Sequence, residues 1–194
     1  MTEIVVRAYV LCGGEGRGGA AHRVPQRGIH TRGLPNRACT WEAWPMESLY
    51  EHAGGHEGIH HFVDIFYSSV LADPVLQPLF GAGHPEHVTR LTAFDSESFG
   101  GPDTFSTDLG GFAGLIAAHR DLRITEEQRL RFVELYLAAA DKAGLPDDQP
   151  FRQALREHVE FGSHVAVQNS HATTDAELHP LREVPTWDWP QPSE

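Results

Sequence analysis

The chain has 194 residues, 40% of them hydrophobic and 22% charged, the balance of one folded domain with some unstructured flank and not of a disordered chain or two full domains. The formal charge of -12 is uneven: residues 1–45 carry six arginines against three glutamates, leaving nine basic and 24 acidic side chains for residues 46–194, an acidic body that excludes nucleic acid as a partner. The two cysteines, Cys12 and Cys39, both fall in the N-terminal segment, which excludes a disulfide framework or a Cys-ligated metal in the body and points to a reducing cytoplasm.

Residues 1–45 are dense in Gly, Arg and Pro and lack the apolar periodicity of a packed element, so disorder is expected there. Within them Gly14-x-Gly16-x-x-Gly19 has the spacing of a dinucleotide-binding turn, but Pro25 and Gly28 follow where a helix is required, and the reading fails. The run IVVRAYVL is broken by Arg7 and too short for a secretory core. No run approaches the roughly 18 apolar residues of a membrane span. Export and membrane insertion are therefore not expected, and Met46 is a candidate natural start.

From Met46 the pattern is helical, and an all-α body over residues 46–170 is predicted. MESLYEHAGG gives a short helix stopped by Gly54 and Gly55. Residues 56–72 place Ile59, Phe62, Val63, Phe66, Tyr67 and Val70 on one apolar face. Asp73-Pro74 caps a turn of helix through VLQPLF. A helix over 84–99 carries His84, His87, Val88, Leu91 and Phe94, and Gly100-Gly101-Pro102 ends it. Residues 103–113 read as a loop, with LIAAH as the last turn or two of a short helix ending at His119. Thr125 is the expected N-cap of a helix to about Gly144, favoured by two glutamates in its first turn. A last helix runs from Pro150-Phe151 to about Ser170. Residues 171–194 contain PTWDWPQP, whose prolines forbid a helix, and an extended tail laid on the body through Trp187 and Trp189 is expected.

Three residue types that serve a haem pocket occur on this scaffold: a neutral imidazole as axial ligand, an apolar slot, and donors facing it. His119 ends an apolar patch with Leu115 one turn before it. His87 and Leu91 are one turn apart, and Tyr67 lies on an apolar face. Taken singly, each has a plain alternative: a surface histidine for His119 and His87, a core tyrosine for Tyr67, core aromatics for Phe80 and Phe132. A separate pattern, His52, His56 and His60 at i, i+4, i+8 with His61 beside them, fits either a metal site or an exposed helical face.

From about Glu47 to Gln168 the chain resembles the truncated haemoglobins, specifically group II. The resemblance is carried by LYEHAGG, FVDIFYSSVLADPVLQPLF, RLTAFDSESFGGP and the pattern His119-x4-Ile124-x4-Arg129-x2-Phe132, in that order. It implies a truncated globin-like two-over-two helical sandwich and haem b (iron protoporphyrin IX), with His119 as proximal ligand to the iron. It implies Tyr67, His87 and Leu91 as the distal pocket, and Phe80, Leu91, Leu115, Phe132 and Arg90 as cofactor-binding residues, Arg90 toward a propionate. The expected ligands are oxygen and other diatomic gases such as nitric oxide, in a monomer or small homo-oligomer. The chain has no flavin or nicotinamide motif, so any catalytic turnover would need an external reductase. The alternative is a haem-free regulatory or interaction module on the same scaffold. Two departures stand out: Phe132 occupies a position where group II members usually have tryptophan, and Gly110-Gly111-Phe112 replaces a frequent Gly-His-Pro, which implies a more mobile loop ahead of the proximal helix.

Overall fold

The computed structural model describes residues 47–179 and 183–190. The expectations for residues 1–45 and for Met46 lie outside them. Among the described residues there is no strand, and eight helices follow one another. Helix α1 (Leu49–His52) is one turn closed by a capping box: Ser48 Oγ accepts from the Glu51 N–H at 3.2 Å, and the Glu51 carboxylate accepts from the Ser48 N–H at 2.9 Å. Gly54 and Gly55 follow with φ of +89° and +64°, a region strained for any residue bearing a Cβ.

Helix α2 (Gly55–Ala72) buries Ile59, Phe62, Val63, Phe66, Tyr67 and Val70, the stripe that its 3.6-residue period selects. Asp73 ends it and starts the next turn, its Oδ1 accepting from the N–H groups of Val75 and Leu76 at 3.0 and 3.2 Å and its Oδ2 from Arg131 Nε at 2.7 Å. Burial alone would raise the Asp73 carboxyl, yet Arg131 and these amides hold it below its usual value. Helices α3 (Gln77–Phe80) and α4 (Glu86–Ser98) follow.

The stretch expected to be a loop, residues 103–113, is instead mostly helical: α5 spans Thr104–Asp108 and α6 spans Gly111–His119. Its Thr, Ser, Asp and Gly are weak helix formers, but tertiary anchors override them. Phe105 is buried and meets Phe94 edge-on at 5.2 Å, and Ser106 N–H donates to Glu97 Oε2 at 2.9 Å. Gly110, at φ +86°, makes the break between the two.

Helix α7 (Glu126–Lys142) opens on the expected N-cap: Thr125 Oγ1 accepts from the Gln128 N–H at 3.2 Å and Gln128 Oε1 from the Thr125 N–H at 3.0 Å. Asp148 caps α8 (Gln149–Ser170), accepting from the Phe151 N–H at 3.1 Å. Helix α2 packs against both α4 and α7, and α7 packs against α8, so the pair α2/α4 lies over the pair α7/α8 as a two-over-two sandwich. The Tyr136 ring joins the layers, edge-on to Phe62 at 4.7 Å and to Phe66 at 5.2 Å.

The segment after Ser170 is not wholly extended, because Thr174 and Glu177 close a capping box around a 3-10 turn at Asp175–Glu177. Residues 183–190 form neither helix nor strand. Trp187 N–H donates to the Ser98 carbonyl and Trp189 Nε1–H to the Glu47 carbonyl, both at 2.8 Å. Among the described residues no helix is long and apolar enough to cross a membrane.

Candidate functional site

All eight residues singled out by sequence, Tyr67, Phe80, His87, Arg90, Leu91, Leu115, His119 and Phe132, line one cavity. Its volume is about 180 Å³. Helices α2, α3, α4, α6, α7 and α8 all contribute to its wall, which is mostly apolar.

His119 is placed by the last turn of α6. Its Nδ1–H donates to the Leu115 carbonyl at 2.8 Å, one turn back, so the ring is fixed in the tautomer that keeps the Nε2 lone pair. Burial pushes the imidazole below its ordinary pKa, against the Leu115 carbonyl, which favours the protonated form. The result is a neutral imidazole at an apolar cavity wall, the form in which histidine ligates a metal.

Tyr67 and His87 form a second polar group in the cavity. The Tyr67 hydroxyl accepts from the His84 N–H at 2.8 Å and shares a hydrogen bond with His87 Nδ1 at 2.5 Å. Two proton arrangements satisfy that pair: the phenol donates to Nδ1, or Nδ1–H donates to the phenol oxygen and the phenolic hydrogen turns elsewhere. Burial, then the nearby positive charges of His84 and Arg90, lowers His87 to about 4. Burial raises Tyr67, partly offset by the His84 N–H. Near neutral pH both are uncharged and hold their protons as donors.

The remaining predicted residues serve the wall. Phe80 meets Tyr67 at 6.2 Å and His87 at 6.1 Å, near-perpendicular to both. Phe132 packs edge-on to Phe66 at 4.9 Å and stacks on Tyr136 at 6.4 Å, bringing no donor to that wall. Arg90 is buried, and its guanidinium donates to the Leu109 carbonyl.

The histidine patch does not converge. His52 is taken up by carboxylates, Nδ1 with Glu47 at 3.0 Å and Nε2 with Asp148 at 2.7 Å. Among the described residues no three His, Cys, Asp or Glu side chains stand where they could hold a metal ion.

Sequence reasoning missed one constellation on the same wall. Asp95 is fully buried, its Oδ2 accepting from Tyr136 Oη and its Oδ1 bonded to His158 Nε2, both at 3.0 Å. The available signal was Asp95 itself, four residues after Leu91 and therefore a carboxylate on an apolar helical face.

The residue types present fit a haem. The cavity offers the Nε2 lone pair of His119, a wide apolar wall and a separate hydroxyl–imidazole pair, and thiolates or clustered carboxylates suited to other metals are absent among the described residues.

Comparison with known proteins bears on the same residues. The profile of the family described as bacterial-like globin matches residues 48–168. The haemoglobin of the thermophilic phototrophic bacterium Chloroflexus aurantiacus is 32% identical with a TM-score of 0.56, the match covering 62% of this chain and 97% of that one. The truncated oxygen-avid haemoglobin from Bacillus subtilis is 28% identical with a TM-score of 0.56, covering 62% of this chain and 99% of that one. The group II truncated haemoglobin from Bacillus anthracis is 25% identical with a TM-score of 0.56, covering 66% and 92%. No curated protein matches.

Proposed function

This chain belongs to the bacterial-like globin family, and we propose that it binds haem b with His119 as proximal ligand and reversibly takes up oxygen and other diatomic gases. The observation that carries this reading is the His119 imidazole, tied through Nδ1 to the Leu115 carbonyl and held neutral at the wall of the large apolar cavity.

When bound, haem supplies the iron at which a diatomic gas is held. The chain's own residues do the rest. The Leu115 carbonyl fixes the His119 tautomer and ring orientation. Phe80, Leu91, Leu115 and Phe132 give the porphyrin an apolar slot and keep water out, which strengthens every polar contact inside. Tyr67 offers a hydroxyl to a gas ligand, with the His84 N–H and the His87 ring setting its direction. A donor of this kind slows ligand loss because partial negative charge on the ligand is favoured by a nearby O–H in a dry site. Arg90 is assigned to a propionate, for which its planar donor fork is suited. Among the described residues no carboxylate bonds His119, so the proximal side supplies no strong peroxidase-type push. Turnover of nitric oxide or peroxide would draw electrons from a separate reductase.

The test is the absorbance spectrum of the purified protein after haem addition. A Soret band in the native chain and none in His119→Ala, with both folded by circular dichroism, is the expected result. The absence of a band in the native chain would end this reading and favour a haem-free module.

A further inference from the structure

The Asp95–Tyr136–His158 group lies outside the roles given above, yet it lines the same cavity. It joins three helices: Asp95 from α4, Tyr136 from α7 and His158 from α8. Asp95 and Tyr136 are 0% and 1% exposed and His158 is 3% exposed, so their charge is not screened by solvent. The titratable groups that meet the Asp95 carboxylate are Tyr136 and His158. Burial first, then the charge and hydrogen bond of Asp95, pushes the Tyr136 hydroxyl well above its ordinary value, so it stays an O–H donor. His158 Nδ1 is buried with no hydrogen-bond partner among the described residues, and the His158 ring lies 4.8 Å, centroid to centroid, from the rings of both Phe99 and Trp187. A protonated ring would leave a buried N–H unsatisfied there. The neutral tautomer, with Nε2–H toward Asp95, leaves only a lone pair. In that tautomer two donors are aimed at the Asp95 carboxylate.

We propose that the Asp95 carboxylate, fixed by Tyr136 and His158, is the electrostatic positioning residue of this cavity, holding a negative charge that favours the ferric over the ferrous form of the cofactor. The proposal rests on the haem-binding reading above. A negative charge near a redox centre stabilises its more positive state. A unit charge lining the same cavity, at an effective dielectric constant of about 20, biases a one-electron equilibrium by roughly an order of magnitude. The two donors reduce that bias without removing it, and this gives the group an adjustable character that a plain hydrophobic core lacks.

The experiment is a spectroelectrochemical titration of the haem-loaded protein in three forms: native, Asp95→Asn and Tyr136→Phe. Asp95→Asn keeps the shape and removes the charge. It should shift the ferric-to-ferrous ratio at fixed poise about tenfold toward ferrous, about 59 mV upward for a one-electron couple. Tyr136→Phe removes a donor from the carboxylate and should move the potential the other way. Shifts of opposite sign are the expected result, since general loosening of the core would move both variants in one direction. An unchanged potential in Asp95→Asn, or shifts of the same sign in both, would overturn the proposal. If Asp95→Asn does not fold, the sign of the Tyr136→Phe shift decides alone. A native protein with no Soret band would sink the haem-binding reading itself, whereas a normal Soret band with unmoved potentials sinks only the role of Asp95.

Discussion

Replacing Tyr67 by phenylalanine removes one oxygen atom from the cavity and leaves the ring that packs beside Phe80. Tyr67 is 9% exposed, so solvent screens its hydroxyl little. That oxygen carries two bonds, from the His84 N–H at 2.8 Å and with His87 Nδ1 at 2.5 Å. Both fix the position of the oxygen, and where His87 Nδ1–H is the donor the phenolic hydrogen is left for a ligand. A buried hydrogen bond of this type to a partly charged acceptor is worth about 1.5–3 kcal/mol, and about 1.4 kcal/mol is tenfold in rate. Oxygen should therefore leave Tyr67→Phe about 10- to 100-fold faster than the native protein, while association changes little because the apolar wall is intact. Stopped-flow displacement of oxygen by carbon monoxide in the haem-loaded protein measures the off-rate directly. An off-rate equal to that of the native protein, with loss of folding stability in the same variant, would refute the reasoning. The hydroxyl would then serve only to tie His84 and His87 in place.

Phe132→Trp should slow oxygen release in the same assay by about tenfold, because an indole N–H adds a donor to a wall that has none from Phe132. Unfolding of the haem-free protein should show a pH dependence owed to His87. Its folded value of about 4 lies below the ordinary 6.5, so the unfolded chain takes up a proton first as pH falls. Stability from this group is complete above 6.5 and lost on going down to about 4, by about 3 kcal/mol in all. Denaturant titrations of native and His87→Leu proteins across that range should diverge accordingly, and parallel curves would count against it. Arg131→Ala should destabilise the fold by about 1–2 kcal/mol, since Asp73 is 6% exposed and keeps only its two backbone donors. The loss should fade under acid, because Asp73, held low by this partner, contributes stability only while ionised.

Much of this protein was legible from local pattern. The face of α2, the Thr125 cap and the glycine stop before α2 each follow from periodicity or backbone sterics within one stretch of chain. The cavity residues were also reachable, because Tyr67, Phe80, His87, His119 and Phe132 stand in an ordered set of motifs that resembles the truncated haemoglobins. Membership of the bacterial-like globin family agrees with that. Helix α5 was not legible, since its sequence favours a turn and only the burial of Phe105 against Phe94 makes it helical. The 3-10 turn at Asp175–Glu177 is a single turn with no apolar periodicity to mark it, and only the Thr174–Glu177 capping-box spacing signals it.

The amino-acid sequence by itself determined the all-helical class, most helix boundaries and the identity of the histidine at the end of α6. Those depend on spacings of three to five residues, which a single stretch displays. Only the tertiary structure decided which nitrogen of His119 is committed, how Tyr67 is held between His84 and His87, and that Asp95, Tyr136 and His158 meet. Asp95 and His158 are 63 positions apart, and nothing local relates them. They come together because α2 carries α4 and α7 on its two sides and α7 carries α8, and a carboxylate buried in that crossing must find its donors there.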